Sequence, residues 1–348
     1  MKFSFIVPIY NDGRLAHAFC VEFERVFKNY LRQADIANTV EVIFVNDGSV
    51  DNSAELLRGV CHRWRFTKAI NLSRNFGHHI GLSCGYQHAR GQYVGSLNVD
   101  MQDPPSEVPA LLERFKGCDV DIVVGLRRAR RDRWFKRASS WLFHYMLGKL
   151  TGYPLPLNMA TVRVMNRQFT DAYNSFTEKS RFLPGLEGWL GFRRGYVEIE
   201  HAERKEGKSS YNFWKRFVMA VDSIVSFSDL PLRMVVFAGS CTAFVGFMLT
   251  LGLVVTRLFF ADLQPGYTST VAIVVLFAGV QMLVVGLASL YVGRVLKEVQ
   301  NRPLYVVQER INFGSVPTLG EKARWRNLPA GESKSLRSTA REAQHAGE

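Results

Sequence analysis

The chain has 348 residues, of which 47% are hydrophobic, and its 44 Lys and Arg against 31 Asp and Glu give a formal net charge of +13. This composition allows a large buried core with apolar sequence to spare, which excludes a wholly disordered protein. The charge suits nucleic acid, an anionic membrane surface or a phosphate-bearing substrate. The five cysteines are odd in number and form no C-x-x-C pair, which argues against a zinc site and against a disulfide framework.

Strand and helix signals alternate through the first hundred residues. Apolar runs at residues 3–10, 40–47, 67–73 and 92–99 predict strands, and the amphipathic segments between them predict helices. Such alternation predicts an α/β fold with a mostly parallel sheet that is covered by helices on both faces. Ligands of such sheets bind beyond the carboxyl ends of the strands.

Acidic, amide and other polar side chains follow each of the four predicted strands. The densest group lies in "NVDMQDPP" after the fourth strand. Carboxylates this close repel one another, so we expect a cation or hydrogen-bond donors among them, with a solvated turn as the alternative. Neither a dinucleotide fingerprint nor a P-loop occurs, so a bound nucleotide would be held in another way. The polar residues at these four ends are Asn11, Asp12, Asn46, Asp47, Asp51, Ser73, Arg74, Asn75, Asn98, Asp100, Gln102 and Asp103.

Two segments combine basic and aromatic residues. The first, "RRARRDRWFKR" at residues 127–137, is either a solvated face or a basic amphipathic element on anionic lipid. The second, residues 211–232, has Phe213, Trp214 and Phe217 at helical spacing. It predicts an amphipathic juxtamembrane helix, with a plain linker as the alternative.

Two long stretches carry no charge, residues 234–256 and 266–293. Each exceeds the roughly 20 residues that a helix needs to cross a bilayer. They predict transmembrane helices at 233–258 and 266–293 that form a hairpin, with buried core helices as the alternative. The basic flanks predict cytoplasmic ends, and the spans argue against nucleic acid as a partner. Residues 294–348 are predicted to be a cytoplasmic basic segment whose tail, after about Gln308, is disordered.

Motifs along the chain now resemble those of one family, the inverting glycosyltransferases of family two. Within that family the sequence is similar to the polyisoprenyl-phosphate glycosyltransferases, which include dolichyl-phosphate mannose synthase and the bactoprenol glucosyltransferases. The resemblance implies a GT-A catalytic domain over residues 1–210, a nucleotide-sugar donor, Mg²⁺ or Mn²⁺, and a polyprenyl-phosphate acceptor. The motifs that carry it are "IVPIYN", "VIFVNDGSVDNS", "NLSRNFGHHIGLSCGYQHARGQYV", "DMQDPP", "FSDLPLRM" and "YVGRVLKEVQNRPLYVV".

The resemblance also implies site residues. Asp100 and Gln102 match positions that bind the cation and diphosphate, where hard oxygen ligands suit Mg²⁺ or Mn²⁺, and Asp103 completes the catalytic motif. The residues implied for the donor nucleotide are Pro8, Tyr10, Asn11, Asp47, Arg74 and Asn98. Those implied for the acceptor phosphate, where an arginine fork suits the anion, are Arg127, Arg137, Arg163, Arg204 and Ser209. A structural ion pair is the alternative for Arg163.

The function implied by the resemblance is transfer of a sugar from a UDP- or GDP-sugar to a lipid such as undecaprenyl phosphate. The enzyme would be multi-pass in the bacterial inner membrane, act at the cytoplasmic face in cell-envelope glycan synthesis, and allow assembly of copies through the membrane parts. A lipid monophosphate is largely ionised at neutral pH, so no strong general base is required. Asn98, Asn158 and Ser210 depart from residues common in relatives, so the alternative is a catalytically weak or inactive membrane scaffold.

Overall fold

The strands and helices of the computed structural model follow the predicted alternation. The structure describes residues 1–33, 35–117, 119–127, 158–179, 181, 183–199 and 266–313, with scattered residues between 237 and 255. The strands in this part of the chain are β1 (Phe3–Ile9), β2 (Val40–Asn46), β3 (Thr67–Leu72), β4 (Tyr93–Ser96), β5 (Ile122–Arg127), β6 (Met159–Asn166), β7 (Arg194–Ile199) and β8 (Val307–Ile311). The helices are α1 (Ala16–Leu31), α2 (Ser53–Arg63), α3 (His78–His88), α4 (Val108–Gly117), α5 (Arg167–Asn174), α6 (Leu183–Trp189) and α7 (Tyr267–Val299), and short 3₁₀ turns cover Gly13–Leu15 and Pro105–Glu107.

One sheet holds the described strands together in the order β7-β5-β6-β4-β1-β2-β3-β8. The pairs β1–β2, β1–β4, β2–β3 and β5–β7 are parallel, whereas β4–β6, β5–β6 and β3–β8 are antiparallel. The predicted α/β fold with a mostly parallel sheet is therefore confirmed. The four strands predicted from the sequence lie side by side in its centre.

Helices cover both faces of this sheet, which is why its central strands are mostly apolar. All seven residues of β2 are buried. On one face the rings of Phe23 and Phe27 in α1 meet Phe5 edge-on, with centroids 5.4 and 5.1 Å apart. On the other face Leu82 of α3 packs in a second apolar cluster with Ile6 and Val45. Burial from two sides holds the strands in one register and brings their carboxyl ends to one edge.

Helix α7 is long and apolar. Within it, Val280–Val299 has a mean hydropathy of 1.4 and none of it is buried, which makes it the one candidate membrane span among the described residues. At a rise of 1.5 Å per residue the helix is about 50 Å long, more than the roughly 30 Å of a hydrocarbon core. It begins at the predicted position but ends at Val299, six residues after the predicted end at 293. The other predicted span and the juxtamembrane helix at 211–232 lie almost wholly outside the described residues, where only scattered helical positions between 237 and 255 are seen.

The chain returns to the sheet after α7. Strand β8 pairs antiparallel with β3, with Glu309 opposite Asn71 and Ile311 opposite Ala69. The hydroxyl of the buried Tyr305 donates to Gln87 Oε1 at 2.5 Å. The prediction of disorder after about Gln308 is therefore wrong for residues 309–311. They form an ordered edge of a domain that was expected to end at residue 210.

Candidate active site

The carboxyl ends of β4, β1, β2 and β3 lie next to one another because these strands are parallel and adjacent. The loops that leave them therefore meet at one edge of the sheet, as the sequence predicts. Pro8 is half-buried near the end of β1, and Tyr10 follows it with 47% of its surface exposed. The loops bring the candidate donor residues Pro8, Tyr10, Asn11, Asp47, Arg74 and Asn98 to this edge.

Asn11 fastens the loop after β1 to the loop after β2. Its backbone N–H donates to Ser49 Oγ at 2.9 Å, and its side-chain Oδ1 accepts from the Val50 N–H at 3.0 Å. Asn11 adopts a left-handed backbone, with φ of 57°, a conformation that asparagine tolerates better than most residues. The two loops consequently form one connected surface.

Asp47 fastens the loop after β2 to the loop after β3. Its carboxylate accepts from the backbone N–H of Phe76 at 2.7 Å and of Gly77 at 2.8 Å, and the residue is buried. Burial raises the pKa of this carboxyl above its ordinary value, although the two backbone donors and the charge of Arg74 oppose that change. Arg74 itself is exposed, with its guanidinium 4.1 Å from the centroid of the Phe76 ring.

Gly48 lies where these loops pass closest, and only a residue without a Cβ fits there. Its φ is +63°, and an added Cβ would lie 2.1 Å from the Arg74 carbonyl carbon and 2.5 Å from the Asn75 nitrogen.

We expect Gly48→Ala to force the loops apart and to weaken nucleotide binding about tenfold or more, since backbone atoms must move in addition to a strain of about 1–2 kcal/mol. Calorimetry with UDP and GDP measures this. The matched control is Gly59→Ala in α2, where a Cβ meets nothing within 4 Å; equal loss in both variants would contradict the prediction.

The loop after β4 carries the acidic motif. Asn98, Asp100 and Gln102 are half-buried at the edge, and Asp100 Oδ1 accepts from the Gln102 backbone N–H at 3.2 Å. Met101 between them has a left-handed backbone with φ of 54°. This tight turn holds a carboxylate and two amide side chains on one short segment.

Asp103, in the same motif, is placed differently. It is fully buried, and its two oxygens accept from Arg127 Nε at 3.0 Å and Nη2 at 2.9 Å. The Thr161 N–H also donates to it, at 3.2 Å. This buried, paired carboxylate fixes the motif loop to β5 and β6, a structural role that differs from the catalytic one predicted for Asp103. Arg127, predicted to bind the acceptor, keeps 30% of its side chain exposed while it holds Asp103.

Arg163 also serves the fold. It is 5% exposed, its Nη1 forms an ion pair with the buried Glu187 of α6, and its other nitrogens donate to the carbonyls of Thr161 and Ala160. The acceptor role predicted for it is corrected to the ion-pair alternative, because a guanidinium enclosed in this way does not face a substrate. Arg137, Arg204 and Ser209, the remaining acceptor candidates, lie outside the described residues.

The residues present fit a divalent cation that shares its ligands with a substrate. Among the described residues no three His, Cys, Asp or Glu side chains are grouped as metal ligands. The motif therefore offers a cation the Asp100 carboxylate and the amide oxygens of its neighbours. It supplies one carboxylate in all, because Asp103 is paired with Arg127. Magnesium is commonly held by one or two carboxylates together with waters and substrate phosphates, so a cation here would depend on a bound diphosphate.

Glu187 and Glu309 are among the acidic residues that the sequence did not single out. Glu187 lies in "LPGLEGW", where one charge in an apolar helix is the signal for a buried partner. Glu309 lies in the polar "VQERI", which gives little sign of a strand. The identity of their partners, Arg163 for Glu187 and Arg58 for Glu309, is given only by the folded structure.

Comparison with known proteins identifies the family. The model of glycosyl transferase family 2 matches residues 4–173. An uncharacterized glycosyltransferase of Synechocystis is 33% identical over 89% of this chain and 95% of that protein. The chain belongs to glycosyltransferase family 2. It is a glycosyltransferase, as its motifs predict.

Relatives named as undecaprenyl-phosphate or bactoprenol transferases are similar to this chain over nearly their full length. The undecaprenyl-phosphate 4-deoxy-4-formamido-L-arabinose transferase of Proteus mirabilis is 33% identical over 88% of this chain and 93% of that protein. The prophage-derived bactoprenol glucosyl transferase of Shigella flexneri is 29% identical over 89% of this chain and 98% of that protein. These alignments extend well past the 4–173 match, into the part that contains α7.

Solved structures show only a distant likeness. A mannosyltransferase of Pyrobaculum calidifontis in complex with GDP-Man and Mn²⁺ gives a TM-score of 0.45 at 14% identity, over 87% of this chain and 88% of that one. A glucosyl-3-phosphoglycerate synthase of Mycobacterium tuberculosis gives a TM-score of 0.43 at 12% identity, over 65% of this chain and 80% of that one. Likeness at this level has no bearing on the donor or the metal of this chain.

Proposed function

We propose that this family 2 enzyme transfers a sugar, with inversion, from a UDP- or GDP-sugar to a polyprenyl phosphate such as undecaprenyl phosphate. The reaction takes place at the cytoplasmic face of a bacterial inner membrane and serves cell-envelope glycan synthesis. The names of the Proteus and Shigella relatives support a polyprenyl-phosphate acceptor.

The observation that carries this proposal is the position of the apolar helix relative to the site edge. The Lys179 N–H donates to Glu298 Oε1 at 2.8 Å, which ties the last turn of α7 to the catalytic domain. The chain then enters β8 at Val307, opposite Leu72 at the carboxyl end of β3. Residues 300–306 alone separate this long exposed apolar helix from β8, whose first residue lies beside the carboxyl end of β3. A phosphate anchored in the same bilayer would have a short path to that edge.

The loops at the edge supply groups for a nucleotide diphosphate. Tyr10 presents an exposed ring for a base, and Arg74 presents a cation that suits phosphate. Asp100 and Gln102 would hold Mg²⁺ or Mn²⁺, which when bound would neutralise charge on the departing diphosphate. Asn98 beside them supplies an amide in place of a second carboxylate, so the site relies on the diphosphate for its remaining oxygens.

The acceptor needs cationic guidance rather than a strong base, because its phosphate is already ionised at neutral pH. Because Arg163 is enclosed in a buried pair and Arg127 is held against Asp103, we assign the acceptor role chiefly to Arg137, Arg204 and Ser209. The transmembrane hairpin formed by 233–258 and 266–293, the interfacial helix at 211–232, and assembly of copies through these parts belong to the same proposal. They keep the site at the lipid surface.

A transfer assay tests this function. The full chain, purified in detergent, is given undecaprenyl phosphate, Mn²⁺ or Mg²⁺, and radiolabelled UDP-, GDP- and dTDP-sugars in turn. We expect one sugar to appear in a lipid-linked product, and chelation of the cation with EDTA to stop its formation. Absence of product with every donor, together with absence of nucleotide binding by calorimetry, would contradict the proposal and favour the scaffold alternative.

A further inference from the structure

A line of hydrogen bonds through side chains connects β8 with the loops after β2 and β1, which contain candidate residues for the sugar-nucleotide donor. Asn71 Nδ2 donates to Glu309 Oε2 at 2.7 Å, and Asn46 Nδ2 donates to Asn71 Oδ1 at 3.0 Å. The Ser49 N–H then donates to Asn46 Oδ1 at 3.1 Å, and Ser49 Oγ accepts from the Asn11 N–H at 2.9 Å. The line runs from the strand that follows the apolar helix to the loops after β2 and β1.

Glu309 sets the direction of this line. An ionised carboxylate only accepts hydrogen bonds, so Asn71 must turn its NH₂ toward Glu309 and its oxygen toward Asn46. Asn46 must then offer its NH₂ to Asn71 and its oxygen to Ser49. Both amides are buried, at 3% and 4% exposure, where a reversed or missing bond is costly.

Arg58 of α2 pairs with Glu309, which also accepts from Asn71. Its Nε and Nη2 donate to the two carboxylate oxygens at 3.1 and 2.7 Å. These bonds lower the pKa of Glu309, with a smaller contribution from Asn71. The carboxylate is therefore ionised at neutral pH and accepts from both sides.

We propose that Glu309 is a positioning residue for the donor site, acting through Asn71 and Asn46 on the loop that contains Ser49. This rests on the proposed function, since it takes the loops after β1 and β2 to bind the nucleotide of the donor. The segment after the membrane part is then a working component of the catalytic domain. We expect Glu309 to affect binding of the nucleotide-sugar donor and not binding of the polyprenyl phosphate.

The test compares four variants of the full chain in detergent. Glu309→Leu removes the carboxylate that accepts the hydrogen bond from Asn71. Glu309→Gln combined with Asn71→Asp places a hydrogen-bonding carboxylate at position 71 instead, where it still orients the Asn46 amide. Gln308→Leu, an exposed neighbour on the same strand, is the matched control. Arg58→Leu removes the outer ion pair and leaves the bond between Glu309 and Asn71.

We expect Glu309→Leu to raise the donor KM and the Kd for UDP or GDP about tenfold, with kcat and the KM for undecaprenyl phosphate within about twofold of the parent. The double variant should recover most of that loss, and the two controls should stay within about threefold of the parent. An unchanged Kd in Glu309→Leu, or equal losses in Gln308→Leu, would overturn the role of Glu309. The role of Glu309 would also be overturned if the double variant bound UDP or GDP as weakly as Glu309→Leu while its melting temperature matched that of the parent.

The two proposals fail in different ways. If the parent chain binds no nucleotide, the proposed function fails before any variant is compared. If the parent binds nucleotide and transfers sugar but Glu309→Leu does the same, only the positioning role fails.

Discussion

Replacement of Asp100 with alanine is expected to lower the rate of sugar transfer by at least about 100-fold, a loss of roughly 3 kcal/mol of transition-state stabilisation. Asp103 is buried against Arg127, so Asp100 is the carboxylate that the motif loop holds half-buried at the sheet edge. We propose that Asp100 would hold the cation, and without it the charge on the diphosphate would have no carboxylate-held cation opposite it. Transfer to undecaprenyl phosphate with the labelled donor measures the effect.

Two further variants separate charge from structure in this experiment. Asp100→Asn keeps the shape of the side chain and removes its charge, so it should lose nearly as much activity and require more Mn²⁺ for half-maximal rate. Asp171→Ala removes an exposed carboxylate from α5, where it pairs with Arg167, and should retain the parent rate. A rate for Asp100→Ala within about threefold of the parent would show that the cation is held elsewhere.

The centre of the fold can be predicted from the sequence because its strands are short apolar runs bounded by polar turns. Helices on both faces bury every residue of β2, so the apolar pattern and the structure have the same cause. The convergence of Asn11, Asp47 and Asp100 at one edge follows from parallel strands alone. The edge strand β8 lacks this signal, because "VQERI" has one covered face and polar partners.

The roles of individual charged residues are less accessible to sequence reasoning. Asp100 and Asp103 stand three positions apart in one motif, yet one lies half-buried at the edge and the other is fully buried. The difference comes from Arg127, which reaches Asp103 from β5. Arg163 likewise finds Glu187 only when β6 and α6 pack together. Residues that only the tertiary structure brings together show no local pattern in the sequence. From sequence alone, an arginine that binds phosphate therefore cannot be distinguished from an arginine in a buried ion pair.

Glu187→Ala is expected to reduce the free energy of unfolding by about 3–5 kcal/mol, because it leaves Arg163 as an uncompensated charge in the protein interior. Arg163 is 5% exposed and Glu187 is 2% exposed, so water does not replace the lost partner. A loss of this size should lower the melting temperature of the full chain in detergent by about 10 °C. Lys116→Ala, which removes one partner of an exposed pair with Glu113, is the control and should change it little.

The double variant Glu187→Leu with Arg163→Met decides between the two roles considered for Arg163. Removing both charges leaves no unpaired ion, so much of the stability should return, less the bonds that Arg163 donates to Thr161 and Ala160. If Arg163 only supports the fold, the double variant should also transfer sugar with a KM for undecaprenyl phosphate near that of the parent. A stable double variant whose acceptor KM has risen tenfold or more would return Arg163 to the acceptor site, because a purely structural pair has no means of changing lipid binding once the fold is restored.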